Sequence, residues 1–175
     1  MDLTVHLGLH KTGSSAIQET LARGMRGPRW SYVLLGRSNG SLAVRQAFDE
    51  TFARGPRRPR VRERGLRTFE DAFAAVASPR AVLSAESLSS LGPADLGNAH
   101  AFLTRYARSI RAIGYVRPTK SYFDSAFQEM LKTRMPGREA FRIDYTAIFA
   151  RLDATFGREN VSLVKYERGS LRNGC

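Results

Sequence analysis

The sequence predicts a three-layer α/β domain, with a parallel central sheet of about five strands and helices on both faces. Three observations predict it. Short β-rich apolar runs alternate with stretches of helical periodicity along the whole chain. Gly and Pro close many of these segments, as the alternation requires. The length, 175 residues with 42% hydrophobic content, suits one domain with a sizeable core, and neither an internal repeat nor a linker interrupts it.

The elements follow in order. Leu3–Leu7 reads as the first strand, and Ser14–Arg23 as a helix with Ile17 and Leu21 four apart on one face. Ser31–Leu35 is a second strand closed by Gly36. Residues 41–53 form a helix with Leu42, Val44, Phe48 and Phe52 as apolar positions. Residues 54–67 hold seven arginines and two prolines, and read as a solvated connection between helices or as an arm that docks an anionic acceptor. Leu66–Ala77 is the next helix, with Phe69, Phe73 and Val76 on its buried side. Arg80–Ser84 is a third strand, followed by a helix starting beyond Pro93, with Asp95 as its cap, and running to Arg108. Ile110–Val116 is a fourth strand, stopped by Pro118. Ser121–Met135 is an amphipathic helix whose Phe123 and Phe127 have core spacing. Asp144–Phe156 is a helix ended by Gly157, and Val161–Tyr166 is the fifth strand.

Charge narrows the partner. Lys+Arg total 28 against 16 acids, a net charge of +12, and 24 of the cations are arginine. The balance points to a polyanionic ligand or to an Arg-rich solvated surface. Nucleic acid is disfavoured as a partner, because the arginines show no aromatic interleaving, helix-turn-helix or zinc pattern. No apolar run approaches the roughly 18–20 residues of a membrane span, and no basic, apolar leader opens the chain. The one cysteine, Cys175, excludes an intrachain disulfide and a Cys-rich metal site, so a reducing, cytoplasmic setting is expected. No metal-ligand cluster is evident, and oligomeric state leaves no readable signal.

The chemistry concentrates in Gly8-Leu9-His10-Lys11-Thr12-Gly13-Ser14-Ser15, between the first strand and the first helix. A parallel sheet collects anions there, where amide N–H groups converge on a positive helix end. Gly8 and Gly13 have the interval of a nucleotide-binding P-loop, but Ser14 occupies the lysine slot and Lys11 stands two places before Gly13. The inner strands end in Glu86 and Arg117, not in the Asp that clamps Mg²⁺ in nucleoside triphosphate enzymes. A metal-independent donor with a less charged transferable group fits better.

His10-Lys11-Thr12-Gly13-Ser14-Ser15, followed by Ile17-Gln18, resembles the 5′-phosphosulfate loop of the sulfotransferases, and His10 before the lysine is similar to the bacterial branch. That resemblance implies 3′-phosphoadenosine 5′-phosphosulfate (PAPS) as donor and 3′,5′-adenosine bisphosphate as product. It implies that Lys11 is the charge beside the leaving phosphate, and that Thr12, Gly13, Ser14 and Ser15 hold the 5′-phosphate. The Ser14 and Ser15 hydroxyls are equally ordinary helix caps. Arg117, ending the fourth strand, and Ser125, eight residues on, match the family's 3′-phosphate pair. Leu83-Ser84-Ala85-Glu86-Ser87 and Val164-Lys165-Tyr166-Glu167 resemble two further family segments. The resemblance leaves two candidates for the base, Glu86 and His10. It implies an aromatic on the adenine, for which Trp30 is a candidate, and a Gly/Arg-rich closing loop after the last strand, for which a full counterpart is not expected in these 175 residues and Arg168 and Arg172 are the partial substitutes. The acceptor is an unidentified hydroxyl or amine, with a glycan suggested by the arginine patch. The rival readings are a non-catalytic remnant of this fold and a nucleotide kinase-like P-loop protein.

Overall fold

The computed structural model describes residues 1–9, 12–25, 27–133 and 143–166, and the backbone alone at 125, 126, 129, 130, 132 and 133. Five strands form one sheet: β1 (Asp2–His6), β2 (Ser31–Tyr32), β3 (Arg80–Ser84), β4 (Ser109–Val116) and β5 (Val161–Lys165). Their spatial order is β2-β3-β1-β4-β5, and every pairing is parallel. Parallel neighbours need crossovers, and among the described residues six α-helices supply them: α1 (Ser14–Gly24), α2 (Ser41–Phe48), α3 (Arg58–Ala74), α4 (Pro93–Leu103), α5 (Thr119–Thr133) and α6 (Tyr145–Phe156). The predicted α/β architecture is therefore the observed one.

The strand order positions the site. From β1 the chain crosses to β2 and β3 on one side, then to β4 and β5 on the other. The carboxyl end of β1 is thus the point where winding reverses, and a crevice opens there.

Strand alternation divides the two faces. Leu3, Val5, Ala81, Leu83, Ile110 and Ala112 point to one side, where they join Phe48, Phe69, Phe73, Phe102, Leu152 and Phe156 of α2, α3, α4 and α6 in one buried cluster. Phe69 meets the rings of Phe48 at 5.4 Å and Phe102 at 5.7 Å, both edge-on. His6 and Ser84 point to the opposite face, and there α1 buries Ser14 and Gln18 rather than an apolar stripe. Ile17 and Leu21, the expected inward pair of α1, are only half-buried.

Three expectations are corrected. Residues 54–67 are not a connection: a 3₁₀ turn (Gly55–Arg57) leads directly into α3 at Arg58. Pro59 is harmless in the first helical turn, and Arg58 anchors that turn through the Gln46 carbonyl at 2.7 Å and the Glu50 carboxylate at 3.0 Å. Gly65 does not break α3; a Cβ there would stand 2.5 Å from the Ala47 nitrogen, so the glycine lets α2 and α3 touch. The second correction concerns Phe123 and Phe127, which are exposed together with Leu131 along α5. Their spacing marks a face, but no described helix covers it. Third, the helix beginning at Ser41 stops at Phe48, because Asp49 turns out of helical geometry and accepts from the Thr51 N–H and hydroxyl. Asp144 and Gly157 bound α6 as expected, Asp144 accepting from the Ala147 N–H at 3.0 Å and Gly157 adopting φ 82°.

Candidate functional site

The loop after β1 is held close to β3 by a missing side chain. A Cβ on Gly8 would lie 2.6 Å from Glu86 Cγ and 3.1 Å from Ser14 Oγ, so any larger residue would push apart the two sides of the site. Gly13 takes φ 71° at the N-cap of α1, a conformation that favours glycine. Thr12, almost fully buried, donates its hydroxyl to the Leu9 carbonyl and lies 3.3 Å from Ser14 Oγ. These contacts turn the loop inward.

The helix that follows is left open at its positive end. Among the described residues no side chain caps α1, and its first turn carries no acid. The hydroxyls of Ser14 and Ser15 are therefore not spent as caps: Ser14 faces the loop, and Ser15 is exposed. Uncapped amides at a helix N-terminus form an anion-binding cradle.

Two strands flank this cradle. On the β3 side, Glu86 opens a 3₁₀ turn (Glu86–Ser90) and lines a cleft of about 360 Å³ with Asn39, Ser41, Arg45, Ser87 and Ser90. The turn is fixed by Ser87, whose N–H donates to Ser41 Oγ and whose hydroxyl donates to the Ser41 carbonyl, both at 3.1 Å. Among the described residues Glu86 makes no ion pair. On the β4 side stands Arg117, just past the strand's end. Its Nε donates to Ser121 Oγ at 3.3 Å, its guanidinium lies 5.6 Å from the centre of the Tyr166 ring, and its carbonyl accepts from the Tyr145 hydroxyl at 2.8 Å. Ser125 lies one turn beyond Ser121 on α5. A second cleft, about 300 Å³, runs beside the loop between Leu9, Ser90, Tyr122, Ile148 and Arg151. Ser90 lines both clefts.

The structure thus brings together Thr12, Gly13, Ser14, Ser15, Glu86 and Arg117 at one sheet edge. His10 and Lys11 lie outside the described residues, as does the Ser125 side chain. Trp30 is not at this edge. It precedes β2, so it sits at the amino ends of the parallel strands, with the Arg80 guanidinium 5.3 Å from its ring centre.

Sequence reasoning missed two groups. Ser121 is one, although its place four residues after Arg117 was a readable signal. The other is a buried polar cluster beneath the loop. Ser84 Oγ lies 2.7 Å from His6 Nδ1 and accepts from Gln18 Nε2 at 3.0 Å. His6 also meets the Tyr115 ring edge-on at 5.9 Å. Burial holds the His6 imidazole neutral, its pKa pushed down to about 4. It likewise pushes the Tyr32 phenol up to about 12, against the hydrogen bond from Ser84.

No protein-family profile matches the sequence, and no curated protein matches it significantly. Solved structures do match. A sulfotransferase from Alicyclobacillus acidocaldarius superposes with a TM-score of 0.61 at 13% identity, over 95% of this chain and 74% of that one. The sulfotransferase domain from the curacin biosynthetic pathway gives 0.44 at 12% identity, over 94% of this chain and 66% of that domain. Retinol dehydratase, in complex with androsterone and inactive cofactor PAP, gives 0.35 at 15% identity, over 93% and 53% of the two chains. The chain therefore spans less than two thirds of the length of these last two proteins. The first of these likenesses establishes the class of fold: the chain has the sulfotransferase fold, a P-loop-like α/β architecture.

Proposed function

We propose that the chain is a PAPS-dependent sulfotransferase that moves a sulfuryl group to a hydroxyl or amine without a metal. One observation carries the reading. The uncapped N-terminus of α1 stands at the winding reversal of the sheet, with Glu86 against Gly8 on one flank and Arg117 with Ser121 on the other. A donor with an anion at each end of its ribose fits that spread. The fold shared with a known sulfotransferase supports the same chemistry.

In this reading the amides of Thr12–Ser15 and the Ser14 and Ser15 hydroxyls hold the 5′-phosphate, and Lys11 supplies mobile positive charge to the bridging oxygen. Arg117, assisted by Ser121 and Ser125, holds the 3′-phosphate. The acceptor oxygen or nitrogen attacks sulfur in line. An S–O or S–N bond forms, the bond from sulfur to the 5′-phosphate oxygen breaks, and the acceptor proton passes to a base. Glu86, which lines a cleft beside the loop, takes that part; His10 is the rival.

Calorimetric titration with 3′,5′-adenosine bisphosphate, beside ADP with and without Mg²⁺, tests the proposal. Micromolar, metal-independent binding of the bisphosphate and weak ADP binding are expected, with Lys11→Ala and Arg117→Ala each weakening it about tenfold or more. Mg²⁺-dependent ADP binding would favour a kinase-like P-loop protein. Binding without turnover of PAPS would leave a non-catalytic member of the fold.

A further inference from the structure

Ser84 is the last residue of β3, two places before Glu86, and its hydroxyl joins three elements. It accepts from Gln18 Nε2 of α1 at 3.0 Å. His6 of β1 pairs with the same hydroxyl through Nδ1 at 2.7 Å. The ladder continues one residue on, where the Ala85 N–H donates to the His6 carbonyl at 3.3 Å. His6, Gln18 and Ser84 are each at most 3% exposed. No apolar packing does this work here, since α1 adds nothing to the main core among the described residues.

We infer that Ser84 is a positioning residue, whose hydroxyl fixes the open end of α1 and the Glu86 turn relative to each other. It touches neither the proposed donor nor the acceptor. It joins the strand that carries Glu86 to the helix that carries the phosphate cradle. A hub of this kind suits a face where burial alone would leave α1 free to shift along the sheet. Its catalytic consequence rests on the sulfotransferase reading; its structural consequence does not.

Native-state hydrogen exchange of Ser84→Ala and Gln18→Leu, beside Ser84→Thr as the rescue, separates the two. Positioning predicts exchange about tenfold or more faster at the hydrogen-bonded amides of Ala16–Gln18 and Ser87–Leu88, with amides of α3 and α6 unchanged and Ser84→Thr near wild type. Uniform acceleration across the chain, or none at the loop, overturns the inference. Where wild type turns over PAPS, Ser84→Ala should lower kcat about tenfold while KM for PAPS moves less than about threefold. An equal loss in both per folded molecule also overturns it. Local loosening in a chain that binds no bisphosphate supports the inference and defeats the function proposed above.

Discussion

The two faces of the sheet are built on different principles. On one, interlocking aromatic rings from α2, α3 and α4 seal the strands within a single buried apolar cluster. On the other, α1 is attached through Ser84, His6 and Gln18, a set of directional hydrogen bonds. Apolar packing tolerates small sliding; hydrogen bonds fix register. The first face supplies stability and the second supplies placement, so substitutions on the two should fail in different ways.

The largest effect expected is on the packed face. Phe69→Ala should cost about 3–5 kcal/mol in denaturant unfolding, while the molecules that stay folded keep their affinity for 3′,5′-adenosine bisphosphate. At the loop the pattern reverses. Gly8→Ala drives a methyl group toward Glu86, and bisphosphate affinity should fall about tenfold or more by calorimetry, with a smaller loss of melting temperature.

Acid should expose the polar face. His6 has a folded pKa of about 4 against an ordinary 6.5, so the unfolded chain binds more protons between those values. Its contribution is fully present above pH 6.5 and is lost as pH falls, the loss reaching about 3 kcal/mol at pH 4 by linkage. His100, pushed down by burial beside Phe156, acts in the same direction. Unfolding at pH 7 and pH 4.5 in wild type and His6→Gln checks this: the variant should have the flatter profile. The smallest effect belongs to the solvent surface. Arg67→Ala removes an exposed pair with Glu63 on α3 and should change stability by about 0.5 kcal/mol or less.

The same division explains what the sequence made legible. The alternation of strand and helix, the two glycines of the first loop, and the placement of Glu86 and Arg117 at strand ends all follow from local pattern plus the rules of parallel sheets. The start of α3 was hidden because Arg, Pro and Gly read as a loop. A proline in the first turn and a glycine at a helix contact obey the helix rules, but only the contact with α2 reveals it. Phe123 and Phe127 show the converse limit, since periodicity identifies a face without saying what lies against it. Ser84 was beyond reach in another way: His6 and Gln18 are 78 and 66 residues away, and nothing local marks a serine as the meeting point of three elements.

The central claim is that the carboxyl edge around the first loop is a nucleotide donor site. Amide-resolved NMR during titration with 3′,5′-adenosine bisphosphate tests it most directly. The account predicts saturable shifts at Gly13–Ile17, Glu86 and Ser121, with Trp30 and Arg80 at the opposite edge undisturbed. Shifts confined to Trp30, Arg80 and Arg111, with the loop amides unmoved at saturation, would contradict it.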